Sequence, residues 1–157
     1  MKLKRIMTLV GLIIFASSVA TAQNFKYIGA AKCKMCHNKP NKGEQYNKWA
    51  DGPHANAMKS LSATEAKDPK CLKCHSTAAS IDPKLKGGIQ ATEGVSCEAC
   101  HGPGSAYKAP AIMKNQALSI KNGLIVPDEE LCKTCHNSES PTFKGFNYEE
   151  YLAKIDH

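Results

Sequence analysis

Aromatic side chains are scarce: they make up 6% of the residues, and Trp49 is the single tryptophan. A core built from side chains alone would be thin, so an ordinary large apolar core is excluded and other apolar material must supply one. Strand signals are nearly absent, which excludes sheet-based folds and the βαβ setting of a thioredoxin-like redox site. No apolar run reaches the ~20 residues of a membrane-spanning helix. The formal charge is +7, a balance that in other chains points to nucleic acid or acidic lipid. Here the lysines are scattered along the sequence and no aromatic interleaves with a basic run, so no nucleic-acid partner is expected.

What is present begins with an export signal. Lys2, Lys4 and Arg5 precede an apolar run from Ile6 to Phe15, and Ala20-Thr21-Ala22 supplies the small residues that a signal peptidase requires. Residues 1–22 read as a cleaved signal peptide, residues 23–157 as one domain, and the periplasm as its compartment. Gln23 rather than a cysteine follows the cleavage site, which argues against a lipoprotein. The leader carries three basic residues and no acid, so cleavage leaves 135 residues with a charge of +4.

The organising feature is a motif repeated four times: Cys33-Lys34-Met35-Cys36-His37, Cys71-Leu72-Lys73-Cys74-His75, Cys97-Glu98-Ala99-Cys100-His101 and Cys132-Lys133-Thr134-Cys135-His136. The starts are 38, 26 and 35 residues apart, too irregular for a solenoid. C-x-x-C-H is the attachment signature of c-type haem. On one helical turn the two cysteines lie on the same side and reach the two vinyl groups along one porphyrin edge; the following histidine projects over that face towards the iron. The four copies use all eight cysteines and four of the six histidines. Zinc would leave a histidine after every pair unexplained. A disulfide framework rarely confines every cysteine to C-x-x-C pairs. The reading is four covalently attached haems c and no zinc, with roughly eight propionates offsetting the basic excess. The expected fold is mainly α with extensive irregular loops, a multihaem cytochrome wrapped around its haems.

The far side of each iron is the scarce resource. With His37, His75, His101 and His136 assigned as proximal ligands, only His54 and His157 remain, so at most two haems take two histidines from this chain. His54 lies between small residues in Pro53-His54-Ala55-Asn56-Ala57, where a flat ring could approach closely. His157 ends an amphipathic segment in which Tyr148, Tyr151, Leu152 and Ile155 recur at helical spacing. Met113 is the best methionine candidate; Met58, one turn from His54, is expected to pack on the same haem. Further helices are expected from Asp128 into the fourth motif, from Gly43 to Trp49 and from Pro53 to Leu61, with Thr92 to Ser96 leading into the third motif. Gly102 and Gly104 would let backbone pass a porphyrin edge, while Trp49 and Tyr107 are expected to pack on porphyrin.

With these motifs, the Trp49 to Ala57 segment, Cys100-His101-Gly102-Pro103-Gly104 and the Phe146 to His157 ending, the chain resembles the tetrahaem cytochrome c-554 family. The resemblance implies a helical, haem-packed fold that passes electrons, most haems holding two histidines and one lacking a strong sixth ligand. Two functions are carried forward. The first is an electron carrier between redox partner proteins, membrane-associated ones among the candidates. The second is a small haem oxidoreductase acting on a nitrogen compound at an open haem. No recognisable acid/base set appears, and all four motifs end in histidine, so the lysine-ligated motif of ammonia-forming nitrite reductases is absent.

Overall fold

The computed structural model describes residues 25–157; the signal peptide expected at residues 1–22 lies outside them. The described chain is mainly helical, with α1 (Ala30–His37), α2 (Gln45–Asp51), α3 (Pro69–His75), α4 (Thr77–Ser80), α5 (Cys97–His101), α6 (Pro110–Met113), α7 (Gln116–Lys121), α8 (Glu129–Lys133) and α9 (Tyr148–Leu152). Short 3₁₀ turns and loops join them, and the single β pairing among the described residues is an isolated bridge, Tyr27 to Lys86.

The helices are short because each is started and stopped locally. Asp68 caps α3, its carboxylate accepting the Lys70 N–H, with Pro69 in the first turn. Asp128 caps α8 by accepting the Leu131 N–H, and Glu129 and Glu130 stand in the first turn where the helix dipole favours acids. Asn147 caps α9 through the Glu150 N–H. The helix expected from Pro53 to Leu61 is instead a run of turns ending in a 3₁₀ turn, Ala57–Ser60. The Asn56 side chain explains this: its amide donates to the carbonyls of Ala50 and Gly52 and folds the segment back on α2.

α1 has no cap of its own. Its first N–H groups are taken by carboxylates far along the chain. Glu98, 1% exposed, accepts from the backbone N–H of Ile28 (2.9 Å), Gly29 (2.7 Å) and Gly104 (2.7 Å). Glu93 accepts from the Ala30 N–H (2.9 Å) and from Ser96 Oγ (3.0 Å). These two acids bind the N-terminal segment and α1 to the third motif.

The interior confirms the poverty of aromatics. The fully buried apolar residues are Ala30, Ala78, Ile89 and Tyr107, and the fully buried polar ones are Ser76, Thr77, Ser96, Glu98 and Ser119. Such a set buries too little apolar area to hold a domain of this size. The polypeptide is a shell, fastened by hydrogen bonds, around clefts that the cysteine motifs line.

Candidate haem sites

Each motif sits at a helix. α1, α3 and α5 end on the motif histidines His37, His75 and His101, and α8 runs into the turn that carries Cys135 and His136. Cys36 is exposed and the other seven cysteines are half-buried; none is in a disulfide.

The motifs meet in an order that differs from the sequence. Cys33 and Cys97 lie close enough to act on one another, which pulls the Cys33 thiol below its ordinary range and pushes Cys97 above it. Cys74 and Cys135 are likewise paired; burial first and then Cys135 push the Cys74 thiol up to about 11. Cys100 lies within electrostatic reach of Cys132 and Cys135. The motifs therefore run first, third, fourth, second through the molecule.

The histidines form two facing pairs. The rings of His54 and His136 have centroids 6.1 Å apart, and those of His101 and His157 are 6.2 Å apart. With metal–nitrogen bonds of about 2 Å, two imidazoles on opposite sides of one iron have centroids roughly 6 Å apart, so both pairs fit a six-coordinate haem. Burial lowers the pKa of His54, His101 and His136; His136 adds to the effect at His54 and His157 at His101. The neutral imidazole is the ligating form, and these sites favour it. His157 Nδ1 hydrogen-bonds the Ile155 carbonyl at 2.8 Å, which leaves Nε2 for a ligand, so this terminal residue is held rather than frayed. His136 stacks on Phe146 at 4.9 Å and meets Tyr151 edge-on at 5.4 Å.

The larger cleft encloses about 910 Å³ of space, open solvent included. Cys97, Cys100 and His101 line one side, His54 and Trp49 another, and Leu152, Ile155 and His157 close it. A second cleft of about 500 Å³ lies between Cys74 and Cys135. Motif cysteines, facing neutral imidazoles and apolar walls fit haem c.

Other candidates fall elsewhere. Met113 lies on α6, which packs on α7, and lines neither cleft. Met58 is on the side of the second motif, because His75 Nδ1 hydrogen-bonds the neighbouring Ala57 carbonyl at 2.9 Å. Trp49 lines the large cleft, its indole N–H donating to the Val95 carbonyl at 2.8 Å. Tyr107 is buried, and its hydroxyl donates to the carbonyls of His101 and Gly102, both at 3.0 Å; burial raises its pKa, so it is an anchor behind the third motif. Gly102, with φ 72°, answers to the backbone: a Cβ there would stand 2.5 Å from the Gly123 carbonyl. Sequence reasoning missed Glu98, whose only signal was an acid between two motif cysteines.

Residues 32–102, which hold the first three motifs, match the family described as cytochrome c554 and c-prime. Cytochrome c-554 of Nitrosomonas europaea is 28% identical over an alignment covering 92% of this chain and 73% of that protein. Both comparisons bear out the resemblance to the cytochrome c-554 family. The chain is a c-type cytochrome, and covalently bound haem c is its cofactor. No solved structure matches it.

Proposed function

We propose that this c-type cytochrome is a periplasmic tetrahaem carrier that moves electrons between redox partner proteins. One observation carries the reading: the spare histidines stand at iron-spanning distance from motif histidines, His54 from His136 and His157 from His101. Haem supplies one-electron cycling between ferric and ferrous iron. The chain's part is to hold and order the sites. Cys33 and Cys36, Cys71 and Cys74, Cys97 and Cys100, and Cys132 and Cys135 would each bind one haem. The order first, third, fourth, second would place each site beside the next, with the first and second motifs at the ends. The leader at residues 1–22 supports the periplasm, where such haems are attached.

A second reading has its own support. Both spare histidines face the third and fourth motifs, so His37 and His75 have no second histidine to share an iron with. A weakly held sixth position there suits an oxidoreductase acting on a small nitrogen compound. The test is the mass and reduced spectrum of protein matured in an exporting host, with and without carbon monoxide. Four haems and two carbon-monoxide-insensitive sites support the carrier with these pairings. A full set of insensitive haems removes the second reading, and a missing c-type spectrum removes both.

A further inference from the structure

Five lysines that lie close together in the sequence, between residues 32 and 48, stand at one end of the row of motifs. Lys32, Lys34, Lys39, Lys42 and Lys48 are all exposed on α1, the 3₁₀ turn Pro40–Lys42 that follows it, and α2, which packs on α1. Within residues 32–48 the only acid is Glu44, half-buried, its carboxylate accepting from the Asn47 amide at 3.2 Å. Among the described residues none of these lysines is in an ion pair, whereas Lys73, Lys133 and Lys154 all are. Lys34 stands over the Tyr46 ring at 4.9 Å.

In the middle of this basic surface lies the barest of the attachment motifs. Met35 is 66% exposed, the most exposed of the large apolar residues described, and Cys36 is the exposed motif cysteine. Helical spacing puts Lys32, Met35 and Cys36 on one face, with Lys39 just beyond the helix end. An apolar centre, a positive rim and a thinly covered attachment site are what transient electron-transfer docking needs. Charge steers the encounter, and close approach lets the electron pass. The opposite charge is found at the other end of the chain, where residues 128–156 hold seven acids against three lysines.

We propose that the α1–α2 surface is the docking port for an acidic redox protein, which exchanges one electron with the site at Cys33, Cys36 and His37. The exchange makes and breaks no bond: the partner loses or gains the electron that this site gains or loses. The inference rests on the reading of a haem at the first motif. Peptide mass mapping of the wild-type holoprotein decides that separately, because a Cys33–Cys36 peptide without haem overturns the haem reading itself.

The experiment is stopped-flow reduction of the oxidised holoprotein by a small acidic flavodoxin in its hydroquinone form, over a range of ionic strength. Lys32→Glu, Lys39→Glu and Lys42→Glu together are expected to slow the second-order rate by about tenfold or more at low salt. The difference should shrink to about twofold in ~0.5 M salt, where charges are screened. The matching Gln variants should fall in between. Lys67→Glu with Lys70→Glu, beside the second motif, should change the rate by less than about twofold. With ferric basic cytochrome c as electron acceptor from the reduced holoprotein, the Glu triple should be faster than the wild type. A triple that behaves as wild type, an equal loss in the control, or slowing with both partners would overturn the port.

Discussion

The two halves of this cytochrome are fastened in different ways. The first and third motifs are joined through the interior: Glu98 and Glu93 reach across 63 to 70 residues to take the N–H groups of Ile28, Gly29 and Ala30. The second and fourth motifs are bridged at the surface by Lys73 and Glu139 at 2.7 Å, both more than half exposed. A carboxylate that accepts three N–H groups away from water is held strongly, since the alternative is buried unpaired donors. An ion pair in water competes with solvent on both sides and adds little. The lesson is that the carboxylates organise one half of the shell, while the other half relies on its local caps and on what fills its cleft.

The sharpest way to break this contrast is Glu98→Ala. It leaves the N–H groups of Ile28, Gly29 and Gly104 without their acceptor in a buried place. The expected loss is ~3–5 kcal/mol of holoprotein stability, read as a lower midpoint in urea at unchanged slope. A midpoint within error of wild type would mean that the clasp is ornamental. Gly94→Ala comes next. Gly94 has φ 62° and ψ −133°, and a Cβ there would stand 2.6 Å from the His54 carbonyl and 2.7 Å from that of Ala55. Strain of ~1–3 kcal/mol is expected, together with a shift of His54. Electron paramagnetic resonance of the oxidised protein should then show one altered bis-histidine signal while the His101–His157 signal stays in place.

This contrast was only partly legible in the sequence, for a physical reason. What depends on neighbours a turn apart could be read directly: the four motifs, the helix start at Asp128, the terminal helix and the thin core. What depends on distant parts of the chain could not. Glu93 reads as a lead-in to the third motif, yet its carboxylate caps α1. His54 is nearer in sequence to His75 but faces His136, and it is the Ala57 carbonyl, three residues on, that meets His75. The lysines of residues 32–48 are close in the sequence, but that α2 packs on α1 beside them is not legible there. At Gly102 the close approach of the Gly123 carbonyl, from 21 residues on, was not legible either.

A milder break falls between the halves. Trp49→Phe keeps most of the apolar wall of the large cleft but removes the hydrogen bond to the Val95 carbonyl. The expected cost is about 1 kcal/mol, with the reduced spectrum unchanged if the indole's role is positional. A spectral change would place Trp49 in contact with the haem electronics.

The smallest effect expected is also the strictest control. Lys73→Gln with Glu139→Gln removes the visible link between the second and fourth motifs while keeping polar side chains at both positions. The pair is short, yet both groups remain open to water, and salt screens what attraction is left. Chemical unfolding of the double variant should overlay that of the wild type at both low and high ionic strength. A clear loss at low salt that vanishes at high salt would show that the bridge closes the cleft between Cys74 and Cys135. The two halves would then differ in how exposed their clasps are and no longer in whether they have one.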